Sequence, residues 1–283
     1  MITAPSSISN YFNLIQVGES RLRSEPPYCV GTLDPDKTFG GLLVSQAVSA
    51  FTALFPKLIP HTINYKFIAP VKINVPIEFE VNPLKDVNIA SISIYQSGKH
   101  VGTAHLRFAL SPDFLDSSSF VSPEYGSHSD YPNTVELVQS MRGQIRKMTE
   151  EFNKLPLEIK PVESPYFPYS DIDRLALWLR FKPEFQDSLK TVDGLAVALF
   201  ISDFLILLDA MEIYQKSKIK IKSGASLHHS VWIHDAELDP LGWYLTVVEC
   251  EVISYGRVRL ESRVFNENRK CVLTVVQEGY MQR

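Results

Sequence analysis

Apolar residues recur at helical spacing over residues 38–54 (TFGGLLVSQAVSAFTAL), and the pattern then shortens to that of strands. The helix opens on Gly40 and Gly41, where a missing side chain lets backbone or ligand approach closely. Strands are expected at 62–71, 77–81 and 89–96, and at 101–110 beyond the turn signal Ser97-Gly98-Lys99. Residues 111–170 carry many Ser, Pro, Asp and Tyr and read as a linker around one amphipathic helix near 134–155. The pattern then returns, with a strand at 175–181, a second long apolar helix at 194–214, and strands at 225–233, 244–253, 258–265 and 272–281.

Central helix followed by antiparallel strands thus occurs twice, which suggests a duplicated α+β unit. The expected domains are 1–125 and 171–283, joined by a linker at 126–170. Each would wrap a sheet around a long central helix, and the two sheets would join edge to edge, because pairing covers edges that otherwise invite aggregation. Between the halves, Val44-Ser45-Gln46 aligns with Ile201-Ser202-Asp203.

Composition changes this picture little. The 283 residues suit two domains of ordinary size, and 45% hydrophobic with 21% charged residues is globular usage. A net charge of -4 with scattered Lys and Arg offers no stripe to neutralise phosphates, so nucleic acid is not an expected partner. Cys29, Cys250 and Cys271 lack both CxxC spacing and disulfide density and read as reduced thiols. No basic patch precedes an apolar run in the first 20 residues, and the last three do not match a Ser-Lys-Leu address; the longest apolar run, 195–208, is too short for a membrane span. A cytoplasmic protein is expected, and a homo-oligomer is compatible with all of this.

Three polar residues sit where apolar ones belong. Asp203 has Leu199, Phe200, Ile206 and Leu207 as its helical neighbours, so desolvation should raise its pKa toward the range useful to a general base, unless it merely satisfies nearby backbone donors. Gln277 shares a core-facing strand row with Cys271, Leu273 and Val275, and a buried amide there needs a partner. Ser226 opens the strand ASLHHSVWIH, where alternation sets Ser226, His228, Ser230, Trp232 and His234 on one side. His228, His229 and His234 invite a metal, but adjacent strand residues face opposite ways and no carboxylate or Cys completes a set, so no metal and no cofactor are expected. Gly-x-Ser-x-Gly, HExxH and Walker-type motifs are missing from the sequence.

The segments FGGLLVSQAVSA, ISDFLIL, ASLHHSVWIHD and VLTVVQEGYMQR together resemble the acyl-CoA thioesterase II family, a double hotdog fold. The resemblance implies hydrolysis of an acyl thioester, carried by CoA or a carrier protein, by a water held on an Asp, a Ser or Thr, and a Gln. Those positions are Asp203, Ser226 and Gln277, the residues already singled out. Backbone N–H groups at Gly40 or Gly41 are candidate oxyanion donors, and Phe39, Phe200 and Phe204 are candidate lining for an apolar acyl channel.

The first half departs from the family. Relatives read approximately H-S-x-H-x-Y-F-L-R-P-G where this chain has HTINYKFIAPV (61–71), and D-G-R-S-F-x-x-R where it has DVNIASIS (86–93). Both arginines are gone, so acyl recognition is expected to outweigh phosphate recognition, with a fatty or polyketide-like chain released. A hotdog hydratase would need a His five residues after its Asp, and Leu208 stands there. A non-catalytic acyl-binding scaffold is the remaining reading.

Overall fold

The computed structural model describes residues 8–31, 36–110, 124–134, 156–163 and 174–282. The expected helix near 134–155 lies outside them from residue 135 on. In chain order the elements are α1 (Ser9–Phe12), β1 (Leu14–Gln16), β2 (Arg21–Ser24), α2 (Gly40–Leu54), β3 (Ile59–Phe67), β4 (Ile77–Leu84), β5 (Ile89–Gln96) and β6 (Lys99–Ala109). There follow β7 (Leu157–Glu163), β8 (Arg174–Phe181), α3 (Gln186–Leu189), α4 (Gly194–Ser202), α5 (Ile206–Lys216), β9 (Ser223–Ile233), β10 (Tyr244–Ser254), β11 (Arg257–Phe265) and β12 (Cys271–Gln282).

All strands join one antiparallel 12-stranded sheet in the order β1-β2-β4-β5-β6-β3-β9-β12-β11-β10-β8-β7. Read outward from its centre, this order is the same in both halves: the strand after the helix, then the last strand, and so on to the two strands that precede the helix. The halves meet where β3 pairs with β9, with Ile63 opposite Val231 and Tyr65 opposite His229. The duplication therefore includes two strands before each helix, and of these four only β8 was expected from the sequence pattern. β1 and β2 are short, and β7 falls inside the stretch read as linker.

The longer helices α2, α4 and α5 pack against the sheet. α2 buries Leu42, Val44, Ala47, Val48 and Phe51 and packs against α4. Every residue of α4 is buried, because α2 lies on one side and β10, β11 and β12 on the other. This is why its sequence is apolar all round rather than striped.

The second long helix expected over 194–214 is instead two helices with a break at residues 203–205. Leu205 has φ of 61°, the left-handed region, where a branched apolar residue is strained. No Gly or Pro marks the break, so the apolar pattern runs through it unaltered. Its consequence is local: Asp203 becomes the C-terminal cap of α4, freed from the helix interior.

α4 is seated by its first residue. A Cβ built on Gly194 would come within 1.8 Å of the Leu238 carbonyl oxygen, a backbone atom that cannot rotate away. Gly194→Ala should therefore destabilise the protein by about 1–3 kcal/mol through overpacking. The expected readout is a lower urea midpoint at unchanged slope; an unchanged midpoint would show that this approach does not hold α4.

Candidate active site

Asp203, Ser226 and Gln277 reach one point from three elements: the α4 cap, the start of β9 and the middle of β12. Asp203 is 6% exposed and Gln277 is fully buried. The Gln277 amide donates from Nε2 to Ser226 Oγ at 2.8 Å. The Asp203 carboxylate accepts from the Gln277 amide, the Gly41 backbone N–H and the Ser226 hydroxyl. Burial outweighs these three donors and raises the Asp203 pKa from 3.8 to about 7, so near neutrality the carboxylate is poised between holding and releasing a proton.

The Gly40-Gly41 pair explains how α2 comes so near. A Cβ on Gly40 would lie 2.6 Å from Asp203 Oδ2, and one on Gly41 would lie 2.5 Å from the Phe200 carbonyl oxygen. Only glycines let the first turn of a 15-residue helix meet the carboxylate, where its unpaired N–H groups and dipole favour negative charge. The Gly41 N–H is engaged by Asp203 itself. Of the two oxyanion candidates, Gly40 is the one that lines the adjoining cavity.

That cavity, about 250 Å³, has Asp203 and Ser226 in its wall. Phe39, Leu43, Phe67, Leu205, Ile206 and Leu207 give it an apolar lining, and Lys37 adds a cation. Phe39 is thus placed as expected. Phe200 and Phe204 do not line it; they stand behind Phe39, with ring centroids 4.9 Å and 6.0 Å from its own. The break at Leu205 has a second effect here, since it places Leu205, Ile206 and Leu207 in the cavity wall.

The expected alternation along β9 fails at one residue. Glu278 is opposite His228 and Gly279 opposite Ser226, so Leu227 has no partner and forms a β-bulge. Beyond it the faces exchange: His229 and Val231 are fully buried, while Trp232 is 42% exposed. His229, not His228, therefore joins Ser226 on the inner face. Its Nδ1 contacts Gln277 Oε1 in a short hydrogen bond, its Nε2 lies 3.0 Å from Ser202 Oγ, and Asp203 Oδ1 is 3.8 Å from Nδ1. Burial pushes its pKa down to about 4, so the ring is neutral. The three histidines part company, with His228 near Ser230 on the outer face and His234 bonded to Thr274.

A family model described as the acyl-CoA thioesterase C-terminal domain matches residues 132–281. The mouse (Mus musculus) protein named acyl-coenzyme A thioesterase 8 is 23% identical over 292 residues, covering 97% of this chain and 88% of that protein. Among solved structures, the tesB protein of Mycobacterium avium subspecies paratuberculosis aligns with a TM-score of 0.73 at 19% identity, covering 96% of this chain and 97% of that one. A hot dog fold protein of unknown function from Alicyclobacillus acidocaldarius gives 0.74 at 17% identity, with 98% of each chain covered. Through a match that spans more than half its length, this chain belongs to the acyl-CoA thioesterase family, and its fold is the hotdog fold in duplicate.

Proposed function

We propose that Asp203 is the general base of an acyl thioester hydrolase, acting on a water that Ser226 and Gln277 help to hold. Thioester hydrolysis is the family's chemistry; the assignment of residues rests on one observation. A buried carboxylate with a raised pKa shares its hydrogen bonds with Ser226 and Gln277 and faces an apolar cavity. In the step envisaged, the water oxygen attacks the thioester carbonyl carbon while Asp203 accepts a water proton. The resulting tetrahedral oxyanion is met by the Gly40 N–H at the start of α2. The C–S bond then breaks, the carboxylic acid leaves, and the thiolate recovers the proton from Asp203. No covalent enzyme intermediate is needed.

The substrate we infer is an acyl-CoA ester, its acyl chain, fatty or polyketide-like, lying among Phe39, Leu43 and Leu205–Leu207. The arginines missing from 61–71 and 86–93 leave phosphate recognition to other cations. Exposed Lys218, Lys220 and Lys222 lead into Gly224 and Ala225 of the cavity wall, and Lys37 lines the cavity. A carrier-protein thioester presents the same pantetheine arm and is the second reading.

Asp203→Asn should lower kcat for acyl-CoA hydrolysis by at least ~100-fold with folding intact, the scale of a positioned general base. Gln277→Ala should cost less, and the double variant should be no worse than Asp203→Asn alone, because both groups serve one water. Free-thiol release is the assay; near-normal turnover by folded Asp203→Asn would remove the residue from the mechanism.

The same pKa makes a stability prediction of opposite sense to the usual carboxylate. Below 3.8 Asp203 is protonated in both folded and unfolded chains; between 3.8 and about 7 only the folded chain keeps the proton; above about 7 neither does. Its contribution to stability is therefore complete at acid pH and is lost as pH rises through about 7. Urea unfolding from pH 5 to pH 8 should show wild type losing stability relative to Asp203→Asn, while kcat/KM of wild type climbs over the same interval. A stability difference independent of pH would mean that the folded pKa is not raised.

A further inference from the structure

The amide of Gln277 has two ends and only one useful orientation. With Nε2 toward Ser226 and Asp203 it donates to both; turned over, it would present an oxygen to the carboxylate. Nothing in Ser226 fixes the choice, since a hydroxyl both donates and accepts. Asp203 favours this orientation only while it is ionised; the group that can fix it in either state of the carboxyl is on the other side of the amide, where His229 Nδ1 meets Gln277 Oε1. An amide oxygen only accepts, so this contact requires the proton to be on Nδ1. A neutral ring then carries a lone pair on Nε2, and the Ser202 hydroxyl 3.0 Å away is its donor. Ser202 closes the last turn of α4, and its single proton is shared between Nε2 and the Leu199 carbonyl oxygen, to which its Oγ donates at 2.8 Å.

We infer that Ser202 and His229 form a buried hydrogen-bond chain whose task is to lock the Gln277 amide with its NH2 toward Ser226 and Asp203. His229 is thus a positioning residue: it touches neither cavity nor substrate and acts only through Gln277. The chain runs from Ser202 O–H to Nε2, from Nδ1–H to Oε1, and from Nε2–H of the amide to Ser226 Oγ. Every member is at least nine-tenths buried except Ser226, so water cannot substitute for a missing link. The bulge at Leu227 has its reason here, since without it His229 would face outward and the lock would be lost. This inference deepens the reading of Gln277 as a holder of the attacking water and rests on it for its kinetic part alone.

Two measurements test it. Nitrogen-15 NMR of the histidine rings, with His229 assigned by its loss in His229→Asn, should find the wild-type ring neutral and protonated on Nδ1, the less common tautomer of a free histidine side chain. A proton on Nε2 would place the amide the other way round and overturn the proposal whatever the enzyme's activity. In kinetics, His229→Asn sets an amide N–H where Nδ1–H stood and should keep kcat within ~3-fold of wild type. His229→Leu removes the donor and should lower kcat by at least ~10-fold with KM within ~2-fold. Equal losses in both variants would reduce His229 to a packing residue and overturn the lock. If wild type hydrolyses no thioester at all, the tautomer still decides the orientation of the amide, so the two readings fail separately.

Discussion

The structure turns on one buried carboxylate. Placing Asp203 in an apolar interior is costly unless donors surround it, and the chain surrounds it from three directions. α2 contributes the Gly41 N–H, β12 the Gln277 amide and β9 the Ser226 hydroxyl. Each direction places a demand on the fold. The glycine pair lets α2 close in, the bulge at Leu227 turns His229 inward behind Gln277, and the break after Ser202 takes Asp203 out of the helical repeat. A carboxylate that is paired yet still raised to about 7 is the outcome: donors enough to hold it, burial enough to make it basic.

Duplication supplies the frame, and the two copies have diverged at the positions that matter. Gln46 occupies the place in α2 that aligns with Asp203 next to α4. It is fully buried, its Nε2 donates to the Tyr11 carbonyl at 2.6 Å, and its Oε1 accepts from Ser24. A neutral amide satisfied by structural partners has no basicity to offer. Ser45 likewise donates to the Ala196 carbonyl at 2.7 Å and so ties α2 to α4, while its counterpart Ser202 turns to His229. One half fixes the scaffold; the other half carries the buried carboxylate, held in part by the first half's helix terminus.

Much of this was legible in the sequence, for identifiable reasons. Gln277 showed itself because period-two alternation along β12 is unbroken where it sits, and Asp203 because a charge among Leu, Phe and Ile has no innocent solvent-facing side. The strands of the two halves were legible wherever they alternate or are buried. What stayed hidden was local geometry that composition does not encode. A break carried by Leu205 at positive φ lacks the Gly or Pro that would announce it. A bulge adds one residue and inverts every later side chain, so alternation counted from Ser226 assigned His228 to the face that belongs to His229. Phe200 and Phe204 were correctly apolar, but only packing shows that they support Phe39 instead of lining the cavity. Edge strands β1 and β7 are short or Pro-containing, and pattern alone does not separate them from loops.

In the proposed mechanism Asp203 works on a water and not on the acyl carbon. A single turnover in oxygen-18 water, with enzyme in excess over acyl thioester, tests it directly. Direct attack puts one heavy oxygen into the released carboxylic acid in that first turnover and leaves the protein unlabelled. If the Asp203 carboxylate were instead a nucleophile, a mixed anhydride would form: hydroxylamine would trap its aspartyl carbon as the Asp203 hydroxamate, and water attack at that carbon would leave a light oxygen in the first product and the label in the Asp203 side chain, either of which would contradict the account.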